Sequence, residues 1–595
     1  MTKKVLWLLV SCLMAISLVI ASCGTTTVEE EEEEEEEVVI GEEEEEAVEE
    51  EEQEGFADSE TPKYGGTLTD ILTTDPLGWD YASTRLMTSN TMQNEELTMG
   101  DWSRGPAGTG LNDWTAGFGG RFGELTGCLA ESWDFPDDET ITYTIRKGVH
   151  WWDKYPANGR ELTPEDIKWN IERNFSSPAS YLYASYTTKG WNPTDITVDG
   201  DTVSMKVVPE SQGLMMCVIS DYLWHMCPDV IDAYGDGKDW KHCLGTGPFM
   251  LVDYVPGSQL RFERNPNYWQ TDPLHPGNEL PYMDGLKQLI ISDSSTQQAA
   301  FRTGKIDHYP TTSWETKDLL LEQCPEVMLK ATKGQGVNYP WGKINTGLPI
   351  QDIKVRQALN LAVNQQEILD EYYGGNAELL NWPYVDLPVF KNIYTPLEEQ
   401  PQIVQDMFGY DPDRAKEMLA EAGYPDGFHT KIDCATTHVD LLSIVREYLS
   451  KVNVDFEIVS HEFGVYWAMR SAVSFDEYIY SNDMASLPFR MLCVGSTSVW
   501  NYAGFYSERT EETLEIVSLN LAKDDAAVEK ALKEIGPFEL EQALAIYLPI
   551  PHTFELWWPW LQNFYGATGG GGYFTPTQYV EYCWIDTEMK KAMGY

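Results

Sequence analysis

The sequence predicts an α/β fold spread over more than one hydrophobic core. Two observations carry that prediction. Short runs of alternating apolar and polar residues interleave with capped helices, and about 535 residues follow the N-terminal tract, more than one core of ordinary size holds. The strand patterns are Gly66–Leu72, Thr140–Arg146, Asp195–Val208, Gln259–Glu263 and Leu286–Ile291. Thr163 followed by Pro164, Glu165 and Asp166 reads as an N-cap, an N1 proline and first-turn acids, opening a helix through Ile167 to Phe175. Asp411-Pro412-Asp413 opens another helix, Arg414–Ala422, stopped by Gly423. Asp352–Tyr373 reads as a longer helix with Val355, Leu359, Ala362, Val363 and Ile368 on its apolar face. A mixture of this kind implies α/β lobes rather than an all-helical or all-β body.

The first sixty residues are of a different kind. Lys3 and Lys4 precede an apolar run from Val5 to Ile20, which ends in Ile20-Ala21-Ser22-Cys23. That is the layout of a secretory signal, and about 16 residues fall short of the roughly 20 that span a bilayer core. Residues 1–22 are therefore expected to be removed. The Ile-Ala-Ser-Cys tetrad resembles the lipobox of bacterial lipoproteins, which implies cleavage before Cys23 and lipidation of its thiol. An ordinary signal peptide or an uncleaved anchor is the alternative. Residues 23–60 include the unbroken runs Glu29–Glu37 and Glu42–Glu46. Like charges at that density repel and bury no apolar surface, so a disordered tether that holds the body off a membrane is expected, with cation collection as the other use of such a tract.

The formal net charge is −55, and beyond residue 60 there remain 39 basic against 75 acidic groups, a net of −36. This excludes a general nucleic-acid binder, which needs Lys and Arg to neutralise phosphates. Of ten cysteines, eight lie between Cys128 and Cys583 after Cys12 and Cys23 are set aside. Eight allow 105 pairings, so thiols and bridges both stay open. None has CxxC or Cys/His zinc spacing, and no metal or cofactor is expected. Gly569–Gly572 lacks the Lys-Ser/Thr of a phosphate loop, and no HExxH or GxSxG is present. His461-Glu462 reads as surface. Acid pairs abound in so acidic a chain that abundance identifies no general acid and base. There are 21 Trp and 32 Tyr. Aromatic faces stack on sugars or clamp apolar side chains, but most, Trp557, Trp558 and Trp560 included, are expected to pack cores.

Five segments, in order, carry a resemblance. They are Tyr64-Gly65-Gly66-Thr67-Leu68; Leu129–Trp133 with Thr142–Trp151 and Leu162–Ile167; Gly245-Thr246-Gly247-Pro248-Phe249 with Val255-Pro256-Gly257 and Arg264–Trp269; Asn345 with Asp352–Ala362; and Tyr410-Asp411-Pro412 with Leu419–Phe428. Together they resemble the family 5 bacterial solute-binding proteins that serve peptide, oligopeptide and nickel ABC importers. The resemblance implies a two-lobed periplasmic-binding-protein-like fold (type II, cluster C) with an extra small domain. Its expected division is lobe I at 61–100, 226–295 and 545–595, the extra domain at 101–225, and lobe II at 296–544. It implies ligand capture by hinge closure, no catalysis, permease and ATPase partners on other chains, and a monomeric receptor anchored outside the cytoplasm.

For the site, the resemblance points to Tyr478–Phe489. Asp483 falls where peptide-binding members carry the acid that pairs with a peptide α-ammonium, although the family's following Asp-Pro is missing, and a loop cap or solvated acid is the other role open to it. Trp500-Asn501-Tyr502 resembles the family's stretch downstream. The expected ligand contacts are thus Asp483, Tyr480, Trp500 and Asn501, for a peptide or similar small polar solute. An oligosaccharide receptor of the same fold, a receptor that reports to a sensor, and a lipid-anchored glycoside hydrolase remain alternatives.

Overall fold

A computed structural model of the protein describes residues 61–76, 78–83, 92–109, 124–334, 337–344, 347–483, 501–567 and 579–595. The signal, Cys23 and the Glu-rich tract lie outside the described residues, as do Trp500 and Gly569–Gly572. Four sheets of three or more strands organise the body from residue 58 onward.

The first sheet carries the Gly66–Leu72 pattern. The strand Thr67–Leu72 runs parallel to Gly285–Ile290, which pairs antiparallel with Gln259–Arg264, itself antiparallel to Phe249–Val255. A second sheet centres on Thr553–Trp557, flanked by His308–Thr311 and Met328–Thr332, both antiparallel to it. A third is antiparallel throughout, in the spatial order Ala130–Asp137, Thr140–Ile145, Thr202–Lys206 and Thr194–Asp199. In the fourth, Phe428–Ala435 runs parallel to Val454–His461 and Tyr478–Asp483, and Val337–Gly342 closes the edge antiparallel.

The expected strands at 66–72, 140–146, 259–263 and 286–291 are present to within a residue or two. Two longer elements are divided. Asp195–Val208 forms a hairpin rather than one strand, because Gly200 takes a left-handed φ of 59° and turns the chain. Asp352–Tyr373 breaks after Leu361. Asn364 accepts from the Glu367 amide at 3.1 Å and starts a new turn, the local bond by which Asn prefers a cap to a helix interior. The apolar period continues across that break, which is why the pattern reads as continuous.

The other helices follow their start signals. Pro164–Ser176 begins at Thr163, whose amide donates to Asp166 at 2.9 Å, and buries Ile167, Ile171 and Phe175 at four-residue spacing. Pro412–Glu421 is capped by Asp411, which accepts from the Arg414 amide at 2.9 Å.

Apolar side chains collect into two cores. One gathers the third sheet, the mostly parallel sheet and their helices, from Leu97 and Cys128 through Leu244 and from Tyr339 to Leu548. The other gathers Leu68, Phe249–Val327 and Phe554–Ile585. Trp557, Trp558 and Trp560 belong to this second core, with Trp558 and Trp560 stacked at 4.7 Å, as expected for packing residues. Where the chain passes from one core to the other, backbones approach closely: a Cβ on Gly245 would sit 1.8 Å from the carbonyl oxygen of Gln93, so only glycine fits there. The seven described cysteines from Cys128 to Cys583 are free thiols, all but Cys243 buried.

Trp558 is fully buried and donates its indole N–H to the Phe301 carbonyl at 2.9 Å. Trp558→Ala is expected to cost about 3–5 kcal/mol, read as a lower midpoint in denaturant unfolding.

Candidate functional site

In open α/β sheets, ligands bind outside the carboxyl ends of the strands. Phe428–Ala435, Val454–His461 and Tyr478–Asp483 are parallel, so their carboxyl ends share one edge. The side chains gathered there are aromatic and basic. Tyr480, near the end of its strand, is buried, with the His438 ring 4.4 Å from it. Tyr466 donates its hydroxyl to the Tyr480 carbonyl at 2.5 Å.

The helix Phe463–Ser471 supplies the rest, and its geometry follows from its sequence. Glu462 caps it, accepting from the Gly464 amide at 2.8 Å and the Val465 amide at 3.3 Å. Residues four apart then share a face. Tyr466 and Arg470 point inward, whereas Phe463 and Trp467 stack at 6.0 Å on a more open side where Phe463 is 56% exposed. Arg470 is buried and donates from Nε to the Tyr502 hydroxyl at 3.0 Å, with its guanidinium 4.6 Å from the Trp467 ring and 5.6 Å from that of Tyr502. A guanidinium among aromatic faces gains cation–π attraction.

Burial, and secondarily the Arg470 charge, depresses the His438 imidazole to about 4. It is therefore neutral at physiological pH. Its Nδ1 is buried and makes no hydrogen bond among the described residues. His461 Nε2 lies 2.7 Å from Asp433 at the same edge.

Among the residues expected from sequence, Tyr480 and Asp483 share one strand. The backbone of Asp483 pairs with Val337, while its side chain lies outside the described atoms. Asn501 is buried and uses its amide locally, donating to the Phe505 carbonyl at 2.7 Å and accepting from the Phe505 amide at 3.1 Å. Sequence reasoning did not single out His438, Tyr466, Trp467, Arg470 or Tyr502. The available signal was the four-residue spacing of aromatic and basic residues behind an acidic cap at Glu462.

A separate cavity of about 640 Å³ lies among Gln357, Gln402, Gln405, Asp411 and Arg414. Its polar groups are engaged: Gln402 donates to Asp406, Gln405 to the Gln400 carbonyl, and Arg414 to Glu417. Among the described residues no cluster of three or more His, Cys, Asp or Glu could hold a metal ion, and no helix is long and apolar enough to cross a membrane.

A family model described as bacterial extracellular solute-binding proteins, family 5 (middle part), matches residues 124–488. The chain belongs to this family. Family 5 members bind solutes rather than transform them, which sets aside the glycoside hydrolase alternative. Its curated relatives include heme-binding protein A of Haemophilus influenzae, 29% identical over 52% of this chain and 55% of that protein. Another is the glutathione-binding protein GsiB of Shigella boydii, 26% identical over 57% of this chain and 62% of that protein. The aligned part thus spans less than two thirds of either relative. Among solved structures, DppA of Helicobacter pylori in complex with the peptide STSA matches with a TM-score of 0.71 at 19% identity, covering 88% of this chain and 99% of that one. AppA of Bacillus subtilis in complex with a nonapeptide matches at 0.68 and 17% identity, covering 89% and 100%. These likenesses establish the type II periplasmic-binding fold for this family 5 chain.

His438 binds fewer protons in the folded than in the unfolded state between about 4 and its ordinary 6.5, so stability falls as pH drops through that window. In a proton NMR titration its ring signals are expected to stay at neutral-imidazole positions down to about pH 5. His438→Gln is expected to reduce the acid sensitivity of the unfolding midpoint.

Proposed function

We propose that this chain is the receptor of an ABC importer. It captures a peptide or similar small polar solute between two lobes and delivers it to a permease driven by an ATPase on other chains. The observation that carries the reading is the family 5 match over residues 124–488. The aromatic edge at the carboxyl ends of the parallel strands supports it, because aromatic faces suit the apolar and cyclic side chains of a peptide. The printed ligands of the DppA and AppA structures are peptides.

The two separately packed cores are the physical basis of the proposed lobes. The segments from 101 to 225 form the proposed extra domain on one of them. Asp483, Tyr480, Trp500 and Asn501 remain the proposed ligand contacts, to which the geometry adds His438, whose buried Nδ1 makes no hydrogen bond among the described residues. Residues 1–22 act as an export signal in this reading, Cys23 carries lipid, and the Glu-rich tract tethers a monomeric receptor outside the cell membrane. A second reading, an oligosaccharide ligand, draws on the exposed Phe463 and its stack with Trp467.

Thermal unfolding of the mature protein with dipeptides to pentapeptides, and in parallel with oligosaccharides, separates the two. A ligand at 100 times its Kd adds about 2.7 kcal/mol. Stabilisation by oligosaccharides alone would overturn the peptide reading. By calorimetry, Asp483→Asn is expected to weaken a peptide ligand at least tenfold, about 1.4 kcal/mol, and unchanged affinity would reject its role as amine anchor. Cys23→Ser is expected to abolish fatty-acid labelling and release the protein from the membrane fraction.

A further inference from the structure

Glu95 and Glu581 are both buried, far apart in sequence, and joined through one hydroxyl. The Tyr268 hydroxyl lies 3.0 Å from Glu95 Oε1 and 3.0 Å from Glu581 Oε2. Gln270 places its Nε2 2.6 Å from the same oxygen and 3.3 Å from Glu95 Oε1. The donor count is decisive here. The carboxylate partner fixes Gln270 as a donor, so one lone pair of the tyrosine oxygen is taken. Its single proton serves one carboxyl group. The remaining contact is a hydrogen bond only when the other carboxyl group carries a proton and donates it to the tyrosine oxygen.

The surroundings decide which group carries that proton. Glu95 accepts the Trp269 indole N–H at 3.0 Å and the Gln270 amide, and the Cys128 thiol lies 3.6 Å away. Donors of that number favour the ionised form of a carboxyl group. Among the described residues, the Glu581 carboxyl group meets the hydroxyls of Tyr268 and Tyr582 and faces the charges of Glu95 and Asp272.

We propose that Glu581 stands as a neutral carboxylic acid and Glu95 as a carboxylate, bound through Tyr268, and that this proton-bearing link fastens the two cores at their junction. The place supports the role. Glu95 lies in the stretch between Met92, in one core, and Leu97, in the other; Cys128 belongs to the same core as Leu97, and Tyr582 to that of Met92. The groups around the link are accounted for. Asp272 accepts from Tyr282 at 2.7 Å and pairs with His275 at 2.9 Å. Arg146, the near cation, lies over the Trp269 ring at 4.6 Å and donates to the Cys128 and Gly127 carbonyls. His225 packs against the Glu95 backbone carbonyl and is held neutral by burial. Burial, with the Glu95 charge adding to it, raises the Glu581 carboxyl well above the usual range, and burial raises Glu95 less because its donors oppose it. The folded state thus keeps a proton that the unfolded chain releases above about pH 4.5, so the link weakens the fold as pH rises through the Glu581 titration.

Infrared spectra of the mature protein at neutral pH test this. A carboxylic-acid C=O band present in the wild type is expected to vanish in Glu581→Gln, whose amide still donates to Tyr268, and to shift in Tyr268→Phe. The loss of thermal stability between pH 5 and pH 8 is expected to be smaller in Glu581→Gln than in the wild type. Acid C=O absorption unchanged in both variants would overturn the proposal. So would identical pH dependence in the wild type and Glu581→Gln. Should Glu581→Gln fail to fold, the Tyr268→Phe spectrum decides by the same criterion.

Discussion

Apolar side chains of this chain pack into two cores, and the backbone must pass repeatedly between them, at Met92–Leu97, Leu97–Trp102, Leu244–Phe249 and Leu548–Phe554, and again between Ala107 and Cys128 and between Val327 and Tyr339. That constraint shapes the rest. Packed interiors resist continuous deformation, so relative motion is confined to the crossings. The sequence at one of them is correspondingly tight: Gly245 and Gly247 lie against the backbone of Gln93, and the Gly247 amide donates to the Gln93 carbonyl at 2.9 Å. Glu95 follows two residues later and reaches Tyr268 and Trp269, so polar bonds rather than apolar packing tie the cores at that point.

The site obeys the same logic at a smaller scale. Parallel strands end together, and after two of them the rings of His438 and Tyr466 come within 6.0 Å of one another. At this edge the chain puts Tyr480, His438 and Arg470 instead of the aliphatic residues of the sheet interior. A buried guanidinium costs desolvation unless its donors are met. Tyr502 and the flanking aromatic rings help to meet that need.

Much of this was legible in the sequence because local chemistry and tertiary structure agree. The Thr163 and Asp411 caps open the helices they announce, and the alternating patterns lie in sheets. Where reading failed, the cause was nonlocal or hidden by continuity. The break after Leu361 turns on one Asn364 side-chain bond within an unbroken apolar period, and the split of Asp195–Val208 turns on one glycine. At the candidate site, Tyr480 was pointed to by the resemblance. Arg470 and His438 were not, because nothing in their own neighbourhoods reveals that residues 438, 470, 480 and 502 converge. The Glu95–Tyr268–Glu581 link spans 486 positions and is visible only once the cores are assembled.

In the proposed function, the two separately packed cores close on a ligand. Small-angle X-ray scattering of the mature protein, with and without a saturating ligand that stabilises it, measures this directly. The account predicts a smaller radius of gyration in the liganded state. An unchanged radius at demonstrated saturation would contradict it.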